Sequence, residues 1–269
     1  MKKTIIGMLA AAALCLAFAQ TAEARGAGQV SDTVLRVGAT PVPHSLLLEL
    51  VREDMAARGF TLQIVEFTDF MTPNMALMFG DIDANFFQHL PFLQANVEWN
   101  ERLTSAFGVH VEPFGLYSLR FNSIDELPNG ASIAIPNDPT NGGRALLLLQ
   151  ARGLITLREG AGLQATPRDI VDNPRGFVFY ELEAPQLPRA LEDVDAATIN
   201  GNFALQAGFN PQRDSLIIED ADSPYVNIVA VQRGFENDPR ILALKEVLLT
   251  PKVREFIEAR FDGGVVAVF

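Results

Sequence analysis

Apolar and polar positions change rhythm many times along this chain. Short runs dense in Val, Ile, Leu and Phe have the form of buried strands. They alternate with longer stretches in which apolar residues recur every three to four positions, the form of a helix packed on one face. The pattern predicts strands over residues 34–39, 62–67, 82–87, 132–135, 177–182, 196–199 and 225–231, and a strand-rich stretch over 107–121. It predicts helices over 45–58, 73–79, 91–102, 142–152, 186–191, 202–207, 239–249 and 251–260. Gly59, Gly80, Gly153 and Gly208 each follow one of these helices as its stop. Ser123-Ile124-Asp125-Glu126 has the form of a capping box that begins a new unit.

Such alternation predicts an α/β architecture with mostly parallel sheets. The run is long for one sheet, and residues 114–121 read as a passage between two units. A chain that crosses near residue 118 and returns near 225 makes two lobes, 34–118 plus 226–269 and 119–225, with a cleft between them. Clefts of this kind are where small ligands bind.

Ahead of the first strand the pattern differs. Lys2 and Lys3, an apolar core over 4–18 and Ala22-Glu23-Ala24 read as a signal peptide over 1–24, followed by an extension over 25–33. The apolar core is short for a membrane span. The single cysteine, Cys15, falls inside this leader. Its neighbours Ala12 and Leu14 reverse the order expected at a lipidated cysteine, so a soluble secreted protein cleaved near Ala24 is expected over one anchored at Cys15. The rest of the chain then has no thiol chemistry. A formal net charge of −12 argues against nucleic acid and anionic membrane surfaces as partners.

Enzyme motifs are sparse. No phosphate loop, nucleophile elbow, zinc-protease motif or dinucleotide fingerprint occurs, so no cofactor is expected. His44, His89 and His110 show no metal-ligand spacing. The sharpest local signal is the loop Ile135-Pro136-Asn137-Asp138-Pro139-Thr140-Asn141-Gly142-Gly143-Arg144. It leaves a strand and opens an apolar helix with an arginine in its first turn. The helix dipole disfavours a cation there, so Arg144 reads either as aimed at an anion such as a ligand carboxylate, or as a surface residue beside a loop. Phe87 and His89 share a face at a strand's end, with Phe92 one turn further on. Phe67 and Phe70 also follow a strand, and are pocket or core. Asn200, Asn202 and Asn227 offer amides suited to a zwitterion, or to turns and caps.

Several segments, in order from residue 34 to the C-terminus, resemble the MetQ/NlpA family. They include Val37-Gly38-Ala39-Thr40-Pro41, Glu66-Phe67-Thr68-Asp69-Phe70, Ile82-Asp83-Ala84-Asn85-Phe86-Phe87-Gln88-His89, the Pro136 to Arg144 loop, Glu183-Ala184-Pro185-Gln186-Leu187-Pro188-Arg189 and Ser223-Pro224-Tyr225-Val226-Asn227. Members are methionine-binding subunits of bacterial uptake transporters. The resemblance implies a two-lobed periplasmic-binding-protein fold, type II-like. It also implies L-methionine in the cleft and an ABC transporter permease and ATPase as partners. Arg144 is then the carboxylate anchor, and Asn200 and Asn227 hold the head group, with Asn202 beside them. Phe67, Phe70, Phe87, His89 and Phe92 line the side-chain pocket. Many members carry tyrosine where this chain has Phe70, Phe92 and Phe203, which leaves D-methionine, a methionine dipeptide or another apolar amino acid open as ligand. An enzyme on the same scaffold, with His89 as base, is the rival of a different class.

Overall fold

The computed structural model describes residues 33–220 and 223–269. The expected leader, with Cys15 and Ala22-Glu23-Ala24, and the extension up to residue 32 lie outside the described residues.

Thirteen strands occur among the described residues: β1 (Val34–Ala39), β2 (Thr61–Glu66), β3 (Ala84–His89), β4 (Leu103–Val111), β5 (Gly115–Tyr117), β6 (Ser132–Pro136), β7 (Thr156–Leu157), β8 (Ile170–Asp172), β9 (Val178–Leu182), β10 (Ala196–Ile199), β11 (Ile217–Ile218), β12 (Val226–Gln232) and β13 (Val266–Ala267). A six-stranded sheet has the order β13-β4-β12-β3-β1-β2, and a five-stranded sheet the order β11-β5-β10-β6-β9. In the first, β1 runs parallel to β2 and β3, while β12 lies antiparallel between β3 and β4. In the second, β6 runs parallel to β9 and β10, and β5 is antiparallel to β10. β7 and β8 form a separate pair.

Each sheet buries its own apolar face under helices. Leu35 and Val37 of β1 pack with Leu47, Leu48, Val51 and Met55, and with Leu244, Val247 and Ile257 from the C-terminal helices. Ile133 and Ile135 of β6 pack with Leu146 and Leu149 of the helix Pro139–Ala151. The chain passes from the first sheet to the second over 112–114, earlier than the passage expected near 118, because Gly115–Tyr117 already pairs with β10. It is back in the first sheet at β12.

The helices differ from expectation in instructive places. The helix predicted over 45–58 forms as Leu46–Leu50 and Arg52–Ala57, broken at Val51, whose φ and ψ of −103° and 6° leave the helical region. The one predicted over 91–102 forms as Leu90–Ala95 and Val97–Arg102. Asn96 interrupts it in an extended conformation, and its side chain accepts the Trp99 N–H to cap the second piece. The capping box at Ser123 does not form: Ser123 makes no side-chain cap, and Glu126 instead accepts the Asn122 N–H at 2.8 Å. The helix expected from residue 142 starts at Pro139 with Asp138 as its N-cap. Arg144 therefore lies in the second turn, and the dipole argument for its role does not apply.

Candidate functional site

A small cavity of about 20 Å³ draws its lining from both sheets. From the six-stranded sheet come the end of β3 (Phe87, Gln88, His89), Phe92 and Asn227 of β12. From the five-stranded sheet come Asn141 and Arg144, just beyond β6, and Asn200, Gly201 and Asn202, just beyond β10. Phe70 and Glu112 complete it.

The Pro-Asn loop builds the polar side of the cavity. Asp138 accepts the Asn141 backbone N–H at 2.9 Å, and both its oxygens accept from Asn141 Nδ2 at 3.0 Å. The amide orientation of Asn141 is thereby set, and its Oδ1 faces inward. That oxygen accepts from Asn200 Nδ2 at 2.9 Å and from His89 Nε2 at 3.2 Å. One amide oxygen thus joins a side chain from each sheet. His89 Nδ1 accepts the Phe92 N–H at 3.1 Å, which assigns the proton to Nε2 and leaves both ring nitrogens occupied. Burial, reinforced by the nearby Arg144 charge, lowers the His89 pKa to about 3. The imidazole is neutral at ordinary pH and has no free lone pair with which to act as a base.

Arg144 is buried and already engaged. Its Nε and Nη2 make a forked ion pair with Glu219, and Nη2 donates to the Glu112 backbone oxygen at 3.0 Å. The guanidinium carbon lies 4.1 Å from the Tyr225 ring centroid and 4.9 Å from that of Phe114. Nη1 has no hydrogen-bond partner among the described residues. Glu112 and Glu219 lie on the two passages between the sheets, so this side chain grips both.

Beneath the cavity floor, Glu112 Oε1 accepts from His110 Nε2 at 2.9 Å and lies 3.2 Å from His44 Nε2. His44 Nδ1 is 2.7 Å from Thr40 Oγ1, and its Nε2 is 3.1 Å from Asn227 Oδ1. Burial lowers the His44 pKa to about 4 and that of His110 to about 3, and it pushes Glu112 upward. The histidines looked unrelated by spacing, yet the fold brings two of them to one carboxylate. The three groups lie close enough together to hold a metal ion, but His110 Nε2 is hydrogen-bonded to Glu112 and His44 Nε2 to Asn227 Oδ1. Asn200 Oδ1 and Asn202 Nδ2 are buried in the cavity wall without a hydrogen-bond partner among the described residues. An unpaired buried acceptor and an unpaired buried donor each cost about 1–3 kcal/mol unless a ligand meets them.

The opposite end is aromatic. The Phe70 ring centroid is 5.9 Å from those of Phe87 and Phe92 and 4.9 Å from that of Phe203. Phe92 in turn packs on Trp99 at 5.5 Å. Behind β3, Asn74, Asn85 and Gln88 bond one another at 2.7–2.9 Å in a buried network. A bulge at Phe87 interrupts the pairing of β3 with β12, and such bulges re-aim side chains beside binding sites.

Of the residues singled out from the sequence, Phe70, Phe87, His89, Phe92, Arg144, Asn200, Asn202 and Asn227 line the cavity. Phe67 does not. It packs on Ile82 and over Gly38, where an added Cβ would lie 2.8 Å from its ring. Sequence reasoning missed Gln88, Glu112, Asn141, Gly201 and Glu219. Asn141 and Gln88 stand inside motifs already quoted, whereas Glu112 and Glu219 lie in passages without periodic pattern.

A model of the NlpA lipoprotein family matches residues 35–269. The D-methionine-binding lipoprotein MetQ of Salmonella typhimurium is 43% identical over 211 residues, which cover 77% of this chain and 78% of that one. A nutrient binding protein from Burkholderia cenocepacia, solved bound to methionine, is 42% identical with a TM-score of 0.84, covering 87% of this chain and 100% of its own. An ABC transporter periplasmic substrate-binding protein from Coxiella burnetii is 42% identical with a TM-score of 0.82, covering 87% and 99%. The fold is that of these substrate-binding proteins.

Proposed function

This chain belongs to the NlpA lipoprotein family, and from that premise we propose that it captures methionine outside the cytoplasm and delivers it to the permease of an ABC transporter. The observation that carries the reading is a cavity with two unlike ends. One end gathers Arg144, the unpaired Asn200 and Asn202 amide atoms and Asn227. The other is a cluster of phenylalanines. A zwitterionic head group suits the first. A thioether suits the second, since sulfur–aromatic contacts contribute about 0.3–1.5 kcal/mol each. The related proteins named above, one a D-methionine-binding lipoprotein and one solved with methionine, support this ligand. Phe67 drops out of the proposed site, and Asn141 enters it as the residue that orients His89 and Asn200. The two-lobed division is part of this proposal, with one of the two larger sheets at the centre of each lobe.

The role is binding rather than catalysis. His89, the one candidate base, has both ring nitrogens in hydrogen bonds. The protein acts as a soluble one after removal of its leader near Ala24, and N-terminal sequencing of the exported form should begin at Arg25. Among the described residues no helix is long and apolar enough to cross a membrane.

Calorimetric titration with L-methionine, D-methionine, norleucine and alanine tests the reading. Methionine should bind tightest, with norleucine weaker by about one order of magnitude, because an apolar pocket separates near-isosteres by about 1–3 kcal/mol. Alanine should bind weakest of the series. Preference for a charged or strongly polar amino acid would sink the assignment.

A further inference from the structure

The charges around the cavity are unevenly matched. Arg144 is the cation of the site, and its guanidinium is paired with Glu219. Glu112 also lines the cavity, and Arg144 reaches only its backbone oxygen. What faces the Glu112 carboxylate is His110 Nε2, His44 Nε2 and the Asn202 backbone N–H. Both imidazoles are neutral, so they lend N–H groups without cancelling the charge. Oε1 accepts from His110 Nε2 and lies 3.2 Å from His44 Nε2, which is hydrogen-bonded to Asn227 Oδ1. Oε2 lies on the side of Gly201, where an added Cβ would come within 3.2 Å of it and within 2.7 Å of the Glu112 Cβ. A glycine at this position therefore lets the carboxylate sit in the cavity wall.

We propose that Glu112 is the residue that recognises the ligand's free α-ammonium group, held for that task by His110. The inference rests on the reading of the cavity as an amino-acid site and deepens it. An ammonium has three protons to donate and no acceptor capacity. The cavity offers the Glu112 carboxylate, the unpartnered Asn200 Oδ1 and the second lone pair of Asn227 Oδ1, whose first faces His44 Nε2. With Arg144 forked to Glu219 and acting on Glu112 only through space, a ligand lacking a cationic nitrogen leaves the buried Glu112 carboxylate without a directly bound cation. Burial already pushes the Glu112 pKa upward, and a bound ammonium would relieve that cost. The ligand's α-amine is thus required to be unblocked, while the aromatic end selects the side chain.

The test titrates wild type and Glu112→Gln with L-methionine and with methylthiobutanoate, its deaminated analogue, near neutral pH. Wild type should bind methionine at least a hundredfold more tightly than the analogue, about the upper end for a hydrogen bond to a charged group. Glu112→Gln should weaken methionine by roughly tenfold to a hundredfold and leave the analogue's affinity unchanged or improved. An equal loss for both ligands would mean that Glu112 only supports the fold around the histidines, and the proposal would be overturned. Should the variant fail to fold, wild type decides alone, since equal affinity for the two ligands has the same consequence. Failure of wild type to bind methionine at all overturns the reading of the cavity and this proposal with it, an outcome distinct from the other two.

Discussion

At the scale of single residues, Arg144 shows how a site can be found for an incomplete reason. Its motif marked it, but the dipole argument attached to it failed, since the helix begins at Pro139 and the arginine sits a turn further in. Contact explains its importance: a forked pair with Glu219, a bond to the Glu112 backbone and two aromatic faces. Arg144→Ala should therefore act twice. Removing one partner of a buried pair costs about 3–5 kcal/mol, so thermal stability should drop clearly. Methionine affinity should fall by roughly a hundredfold or more. Calorimetry and a melting scan on the same sample check both, and unchanged affinity would remove Arg144 from the site. Glu112, Glu219, His44 and His110 were not legible in this way. Their meaning arises from contacts between residues far apart in sequence, and neither spacing nor periodicity records such contacts.

At the scale of elements, the strands were legible because buried β-residues cluster and alternate, and most strand positions fall within a residue or two of expectation. Two of the misplaced boundaries share a cause: local side-chain capping overrode the apolar pattern. Asn96 splits one helix by capping its second half, and Asp138 starts another three residues early. The Asp138 cap also orients the Asn141 amide. Asp138→Ala should cost about 1 kcal/mol as a lost N-cap. It should in addition weaken ligand binding several-fold, because Asn141 then loses the acceptors that aim its oxygen at His89 and Asn200. Urea unfolding gives the first quantity and titration the second. A stability loss with wild-type affinity would show that the cap serves the helix alone.

At the scale of the whole molecule, three histidines are buried in neutral form. Their pKa values are lowered to about 4 for His44 and about 3 for His89 and His110, against about 6.5 in an unfolded chain. Below pH 6.5 the unfolded chain takes up protons that the folded protein refuses. Stability is therefore complete above that pH and declines as pH falls towards about 4, by up to about 1.4 kcal/mol per pH unit for each histidine. Glu112, with its pKa raised, opposes part of this, because the folded form is then the one that gains a proton. Ligand-free unfolding midpoints should fall steadily through this window, and a flat profile would contradict the buried neutral assignment. The packing of Phe92 on Trp99 carries one more consequence. Trp99 is the chain's single tryptophan, and one ring separates it from the cavity. The molecule thus has its own optical gauge: a ligand that presses on Phe92 should change the ultraviolet emission of one identifiable fluorophore, and saturation of that signal should track occupancy without any added dye.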